Sequence, residues 1–301
     1  MSLALLVTGA SGQLGQDLLR AVRAGGDVFA RGLKRADLDV TDAFAVQDMV
    51  VGWERIVRSD NPAHRLVVVN CAAYTAVDAA EADEETAYAV NAAAPALLAT
   101  ACAKAGARLI HVSTDYVFPG DASEPYDVDD ETGPHSAYGR TKLAGELAVR
   151  EILPDASYVV RTAWLYGATG QNFVKTMARL ERERETVSVV DDQRGSPTWS
   201  RDLAAGLLAL AGSEAPAGIY HGTNSGDTTW HGFTQAIFGE LGADPARVLP
   251  TTSDAFPRPA PRPAYSVLSQ RAWDEAGLPP FQGWREALAE AFRTSGDAFR
   301  G

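Results

Sequence analysis

The first fifteen residues constrain the fold most strongly, because a short apolar segment runs directly into a glycine-rich turn. Residues 3–7 are all apolar, and Gly9, Gly12 and Gly15 follow with the spacing G-x-x-G-x-x-G. From Gln13 onward, apolar residues recur at helical spacing. A strand, a glycine turn and a helix in this order predict an α/β fold whose turn binds the pyrophosphate of a dinucleotide. The alternative is a turn that needs glycine only for packing.

Short apolar segments alternate with helical patterns through the first half of the chain. Strands are predicted at residues 28–30, 38–40, 66–70, 108–113 and 158–161. A long alanine-rich helix is predicted over residues 78–105, and Ser136 is predicted to open a later helix. Strands that alternate with long helices predict βαβ units and a parallel sheet that is covered on both faces.

Beyond Tyr166 the alternation breaks down. Helices are predicted near residues 172–185, 203–210 and 284–292, and strands at residues 187–190 and 218–221. We therefore expect two domains: residues 1–168 with the cofactor site, and residues 169–301 as a smaller α+β substrate domain. Elements near residues 197–221 are expected to return to the main sheet.

Composition excludes several classes of function. The formal net charge of −12 argues against a nucleic-acid or anionic-membrane partner, since both need a basic surface. The two cysteines, Cys71 and Cys102, lie in apolar settings, so we expect a reducing cytoplasm and no disulfide framework. The N-terminal residues show neither a basic leader nor a long apolar run, so no export is expected. The five histidines lack metal-ligand spacing, and no metal site is expected.

The segment after the second predicted strand bears on the choice of cofactor. An acidic residue often binds the ribose hydroxyls at this point, but the chain has Arg31 there, followed by Lys34 and Arg35. Guanidinium groups suit a 2′-phosphate, so NADPH is favoured, with NADH as the alternative. An ordinary solvated basic loop would also fit. Asp39 and Val40 are expected near the adenine, or else at a helix cap. Residues 70–75 follow the fourth predicted strand, where ligands of such sheets bind.

A tyrosine and a lysine four residues apart suggest the reaction chemistry. On a helix, Tyr138 and Lys142 would lie on one face, where the ammonium would lower the pKa of the phenol. Such a tyrosine can exchange a proton with a reacting oxygen. Thr114 and Asp115 follow another strand and could bind a carbonyl and a sugar hydroxyl. The plainer alternatives are a packed tyrosine beside a solvated lysine, and side chains that cap the loop.

These motifs together resemble those of the extended short-chain dehydrogenase/reductases. More narrowly, they are similar to the dTDP-4-dehydrorhamnose reductase family within that superfamily, and the similarity covers nearly the whole chain. The segments that carry it are TGASGQLG (8–15), NCAAYTAVD (70–78), STDYVF (113–118), YGRTKLAGE (138–146), RTAWLY (161–166), NF (172–173), DQRGSPT (192–198) and RPAYS (262–266).

The resemblance implies a Rossmann-type doubly wound parallel sheet and a role for each matched position. Thr114, Tyr138 and Lys142 would be catalytic, and NADPH would reduce the C4 ketone of dTDP-4-dehydro-L-rhamnose while Tyr138 donates the proton. Residues implied in cofactor binding are Gly12, Gln13, Leu14, Asp39, Val40, Ala73, Tyr74, Thr75 and Lys142. Residues implied in binding the nucleotide sugar are Thr114, Asp115, Trp164, Arg258 and Arg262. The family often forms homodimers.

Two alternatives remain open at this stage. Another nucleotide-sugar reductase, epimerase or dehydratase would share the fold, although a dehydratase generally needs an acidic pair where this chain has Asp115 followed by Tyr116. A non-catalytic regulatory subunit, like that of methionine adenosyltransferase, would share it too. The intact Thr114, Tyr138 and Lys142 argue against the second alternative.

Overall fold

The computed structural model describes residues 2–25 and 28–300. The elements of the first half are β1 Leu3–Thr8, α1 Gln13–Gly25, β2 Val28–Leu33, α2 Ala43–Asp60, β3 Arg65–Asn70, α3 Val77–Ala80, α4 Glu84–Tyr88, α5 Ala94–Ala105, β4 Arg108–Thr114, α6 Ala137–Ile152, β5 Ser157–Thr162 and β6 Leu165–Tyr166. Those of the second half are α7 Phe173–Glu183, β7 Val187–Val190, β8 Arg194–Gly195, β9 Thr198–Trp199, α8 Ser200–Gly212, β10 Gly218–His221, β11 Thr228–Thr229, α9 Trp230–Leu241, β12 Val248–Thr251, α10 Arg271–Glu275 and α11 Trp284–Arg300.

A six-stranded sheet organises the first half, with the strand order β2-β1-β3-β4-β5-β10. Every neighbouring pair in it is parallel. The strand order changes direction between β1 and β3, and ligands of open parallel sheets bind outside such a switch point. The predicted α/β fold with a mostly parallel sheet is confirmed.

Apolar layers cover both faces of this sheet. One layer joins the sheet to α2, α5 and α6, and the other joins it to α1, α8 and α10. A third apolar cluster holds α7, α9 and α11 together in the second half. The second half also contributes to the main sheet, because β10 pairs with β5 and α8 packs against α1.

Two predicted elements differ in the structure. Residues 38–40 form no strand but a turn, in which Asp39 accepts hydrogen bonds from Thr41, and Asp42 then caps α2. Asn70 therefore ends the third strand of the chain and not the fourth.

The helix predicted over residues 78–105 is interrupted. Asp83 caps a new start at α4, and a wide π-turn, Ala89–Ala93, precedes α5. Pro95 lies in the first turn of α5, where its missing N–H removes one helical hydrogen bond and favours a change of register.

Among residues 2–25 and 28–300, the same helical stretch is the one region that resembles a membrane span. Glu84–Ala105 has 22 residues and is apolar enough to cross a bilayer by length and composition alone. Half of the window is buried inside the fold, and α5 packs against α2 and α6. A core helix of a water-soluble fold has these properties too.

A buried ion pair joins α6 to the sheet. The guanidinium of Arg161 in β5 donates to both oxygens of Glu146, and each side chain is only 2% exposed. The Phe118 ring packs against the guanidinium, whose Cζ lies 4.8 Å from the ring centroid. Burying two charges is costly, so the pair depends on both partners being present.

We expect Glu146→Ala to lower the free energy of unfolding by about 3–5 kcal/mol, because it leaves the Arg161 charge buried without a partner. The exposed pair between Glu84 and Arg140 provides the control, and Glu84→Ala should cost less than about 1 kcal/mol. Urea unfolding of both variants measures the difference. Equal losses would contradict the structural role given to the buried pair.

Candidate active site

The three glycines of the turn after β1 differ in how closely other backbone atoms approach them. Gly9 has a φ of +66°, and a Cβ there would lie 2.6 Å from the backbone of Cys71 and Ala72. A Cβ on Gly15 would lie 2.4 Å from the Gly9 carbonyl oxygen. Both glycines are thus required by the protein's own backbone. A Cβ on Gly12 would meet one described atom within 4 Å, the Gly9 carbonyl oxygen at 3.3 Å, and Gly12 lines the cleft beside the turn.

A cleft of about 590 Å³ lies beside this turn, at the carboxyl ends of β1 and β3. It therefore lies at the switch point of the sheet, where a dinucleotide is expected. Its lining combines the turn, the segment after β2, the segment after β3 and α4 with the π-turn. A neighbouring cleft of about 630 Å³ between α1 and β2 shares Ser11 and Lys34 with it. Thr114, Tyr138 and Lys142 line neither cleft, but Cys71, which borders the first, is near enough to raise the pKa of Lys142.

The structure brings about half of the predicted cofactor residues to the first cleft. Those that line it are Gly9, Gly12, Asp39, Val40, Ala73 and Tyr74. Gln13 instead accepts a hydrogen bond from Asn172, and the Leu14 side chain is buried in the core. Thr75 is exposed outside the lining.

Of the three basic residues named after the second predicted strand, Lys34 and Arg35 line this cleft and Arg31 does not. Arg31 was expected to end the second strand, but β2 continues to Leu33, and Arg31 lies within it on an exposed position outside the cleft lining. Lys34 and Arg35 follow the strand and line the cleft. The strand is longer than its apolar run because Arg31 faces solvent at the sheet edge, where a polar side chain costs little.

Thr114 and Tyr138 meet where β4 ends and α6 begins. Ser136 caps α6 by accepting from the Gly139 N–H, which places Tyr138 in the first turn. A Cβ on Gly139 would lie 2.3 Å from the Tyr116 carbonyl oxygen, so glycine permits the close approach of α6 to this turn. The Tyr116 ring meets the Tyr138 ring edge-on, with centroids 5.6 Å apart.

Burial raises the pKa of Tyr138 to about 12, and hydrogen bonding with Thr114 opposes the rise. The predicted lowering of this pKa by Lys142 is not observed, because burial is the largest cause of the shift and Asp115, not Lys142, is the neighbouring charge that contributes to it. A raised pKa keeps the phenol protonated at neutral pH.

Lys142 is held one helical turn further on and is only 1% exposed. Its Nζ donates to the Val112 carbonyl oxygen at 2.6 Å and lies 3.5 Å from His111 Nε2. Burial lowers the pKa of Lys142 to about 8, while Glu146 and Cys71 raise it. The ammonium is thus fixed, and its charge is lost at a much lower pH than in water.

Asp115 is buried beside Thr114, whose hydroxyl donates to Asp115 Oδ1 at 2.9 Å. Burial raises the pKa of this carboxyl to about 6. The Ser266 hydroxyl partly opposes that rise, yet neither it nor Asp115 Oδ2 makes a well-formed hydrogen bond with the described residues. A buried oxygen in this state can accept from a ligand hydroxyl.

The remaining predicted substrate residues lie in different surroundings. Trp164 has a φ of +46°, and its indole stacks on Trp230 with ring centroids 3.5 Å apart. Arg262 forms an ion pair with Asp78 at 2.9 Å and borders a small groove with Tyr116. Arg258 is exposed.

Two site neighbours were missed by the sequence-based prediction. His111 lies 3.5 Å from Lys142 Nζ and Trp230 stacks on Trp164, and the sequence pattern marked neither residue. Among residues 2–25 and 28–300, no group of three or more His, Cys, Asp or Glu side chains is arranged to hold a metal ion.

Comparison with known proteins places the chain in a family. The family model described as the RmlD substrate binding domain matches residues 3–296. A dTDP-4-dehydrorhamnose reductase of Streptomyces griseus is 55% identical, over 95% of this chain and 92% of that protein. The chain belongs to the dTDP-4-dehydrorhamnose reductase family. It is accordingly an NAD(P)H-dependent oxidoreductase.

Two further members show the range of the family. The crystal structure of a dTDP-4-dehydrorhamnose reductase from Bacillus anthracis, in complex with NADP, has a TM-score of 0.90 and 36% identity, covering 98% of this chain and all of that one. A probable dTDP-4,6-dihydroxy-2-methyloxan-3-one 4-ketoreductase of Streptomyces antibioticus is 50% identical, over 95% of this chain and 94% of that protein. The family thus contains reductases of more than one dTDP-linked ketone.

Proposed function

We propose that this protein reduces the C4 ketone of dTDP-4-dehydro-L-rhamnose to dTDP-L-rhamnose with NADPH, and that Tyr138 donates the proton. The observation that carries the proposal is the convergence of Thr114, Tyr138 and Lys142 at the carboxyl edge of the sheet, close to the cleft beside Gly12. The named activity of the Streptomyces griseus relative supports the choice of sugar.

The cleft suits a dinucleotide in shape and in charge. Gly12 lines the cleft beside the turn, and Lys34 and Arg35 line the end of the cleft that follows β2. When bound there, NADPH supplies the hydride that reduces the ketone carbon. Lys142 offers its remaining ammonium hydrogens to the nicotinamide ribose, and Ala73 and Tyr74 provide backbone and ring contacts.

The catalytic side chains have separate tasks. Thr114 would turn its one hydroxyl hydrogen from Asp115 Oδ1 to the ketone oxygen, and Tyr138 would give its phenolic proton to that oxygen as negative charge develops there. The Lys142 ammonium stabilises the resulting phenolate. Asp115 accepts from a sugar hydroxyl through its free oxygen, and Trp164 contributes an apolar wall for the deoxysugar ring.

The diphosphate of the substrate needs positive charge, which the second half supplies. Arg262 lies beside Tyr116 and close to the reaction centre, whereas Arg258 is exposed on the same proline-rich segment. Arg262 would exchange its ion pair with Asp78 for the diphosphate. We further propose that the second half, residues 169–301, is the nucleotide-sugar domain, and that the protein acts in the cytoplasm, as a homodimer.

A second candidate function is reduction of a different dTDP-linked 4-ketosugar, because the Streptomyces antibioticus relative is nearly as similar as the one from Streptomyces griseus. A panel of nucleotide 4-ketosugars, followed by loss of reduced-nicotinamide absorbance, separates the candidates. We expect the highest kcat/KM with dTDP-4-dehydro-L-rhamnose. Turnover of another sugar alone would favour the second candidate, and no turnover of any sugar would reject both.

Replacing Tyr138 by phenylalanine should retain NADPH binding and lower kcat by roughly 100- to 10,000-fold, because only the proton donor is removed. Tyr116→Phe is the matched control, since it removes a neighbouring phenolic hydroxyl and keeps the ring. Steady-state rates and fluorescence titration with NADPH measure the two effects. Full activity of Tyr138→Phe would exclude the assigned acid.

The cofactor preference can be traced to particular basic residues. We expect Lys34→Ala and Arg35→Ala to raise the KM for NADPH several-fold and leave the KM for NADH nearly unchanged, because each loses a contact with the 2′-phosphate. Arg31→Ala should change neither, since Arg31 lies outside the cleft lining. If Arg31→Ala alone affects NADPH, the sequence-based prediction for Arg31 is right.

A further inference from the structure

A chain of buried polar groups runs behind the active site, from β1 to α6. The Thr8 hydroxyl donates to Asn70 Oδ1 at 2.6 Å, and Asn70 Nδ2 lies 3.0 Å from His111 Nδ1. His111 Nε2 lies 3.5 Å from Lys142 Nζ. All four side chains are at most 2% exposed. Burying this many polar groups is costly where apolar residues would pack as well, so the chain calls for a physical explanation.

The direction of each hydrogen bond in this chain is fixed by one backbone group. The Ala72 N–H can only donate, and it lies 3.2 Å from Asn70 Oδ1, so this atom must be the amide oxygen. Asn70 Nδ2 therefore donates to His111 Nδ1. A neutral imidazole that accepts at Nδ1 carries its hydrogen on Nε2, and that N–H faces the Lys142 amino group.

The charges around Lys142 make this contact significant. From its own helix, Glu146 approaches, but it is engaged by Arg161 of β5. Tyr138 lies one helical turn earlier, and Cys71 approaches from the segment after β3. His111 is kept neutral, because burial and the neighbouring Lys142 hold its pKa well below the ordinary value. Within the described residues, Lys142 thus has the Val112 carbonyl as its one close acceptor.

We propose that Asn70 and His111 are positioning residues for Lys142, which connect the cofactor turn to the catalytic amine and set when that amine is charged. The inference rests on the proposed function of Lys142 in ketone reduction. An imidazole N–H that faces an ammonium opposes it, while the same N–H tolerates a neutral amine, whose lone pair can accept. Thr8 and Ala72 border the cofactor cleft, so the chain of hydrogen bonds begins where the dinucleotide would bind.

Two substitutions should each replace the N–H that His111 directs at Lys142 by a hydrogen-bond acceptor. His111→Gln can present a carbonyl oxygen to Lys142. Asn70→Asp keeps the acceptor for Thr8 and Ala72 but places a carboxylate against His111 Nδ1, which draws the ring hydrogen to that atom and leaves Nε2 as an acceptor. Both changes should therefore favour the charged amine. Ser113→Ala is the matched control, because Ser113 lies on the same strand as His111 and its buried hydroxyl contacts no described polar group.

Titration of Lys142 in the protein without cofactor tests the proposal directly. The lysines are Lys34, Lys104, Lys142 and Lys175, so ¹³Cε-lysine labelling gives a simple NMR spectrum in which Lys142→Met identifies the signal. We expect a midpoint near pH 8 in the unmodified protein and an upward shift of about one unit in His111→Gln and Asn70→Asp. Ser113→Ala should leave it unchanged.

An unchanged Lys142 midpoint in both substituted proteins would overturn the proposal, as would an equal shift in Ser113→Ala. If one variant fails to fold, the other decides the outcome. The pH profile of kcat/KM at limiting NADPH provides the functional readout, and its basic limb should move upward with the NMR midpoint. Absence of turnover in the unmodified protein would reject the proposed function, whereas the NMR titration would still judge the role of His111.

Discussion

The parallel direction of β1, β3, β4 and β5 is the constraint on which the rest of the structure depends. Since these strands all end at one edge, the segments that follow them are brought together although they are far apart in the chain. The glycine turn follows β1, Ala73 and Tyr74 follow β3, and Thr114 ends β4. An antiparallel arrangement of the same strands would divide these groups between two edges. Ser136 caps α6 close to this edge, so the first turn of the helix places Tyr138 beside the strand ends.

Desolvation affects the tyrosine and the lysine of the candidate site in a complementary way. It raises the pKa of Tyr138 to about 12 and lowers that of Lys142 to about 8, so each group moves toward its neutral form. The phenol therefore stays protonated over the whole neutral range, while the amine changes charge close to that range. Glu146 would restore the lysine charge, but Arg161 engages both of its carboxylate oxygens. The buried ion pair thus influences the reaction centre as well as the stability of the fold.

Much of the first half could be predicted from the sequence, because continuous apolar runs such as residues 66–70 identify buried parallel strands and Gly9 marks the turn. The end of β2 could not be placed, since Arg31 in an edge strand looks the same as a loop residue. The interruption of the helix before α5 depends on a capping aspartate and on Pro95 within an otherwise uniform alanine-rich pattern. His111 gave no usable signal, because its partners Asn70 and Lys142 are distant in sequence and meet only in the folded sheet. The spacing of Tyr138 and Lys142 marked them in the sequence, but only the three-dimensional surroundings show the sign of their pKa changes.

The return of β10 to the edge of the main sheet ties the two halves together mechanically. The chain leaves the sheet after β5, builds part of the second half, comes back to pair β10 with β5, and leaves again for α9 and α11. A cut after residue 168 would expose the outer edge of β5 and remove the α8 side chains that cover α1. Neither half can therefore be exchanged between relatives as a contiguous block. A chimera that takes its substrate specificity from another family member therefore has to exchange individual loops, because the segments of the second half are separated in the chain by β10 and α8.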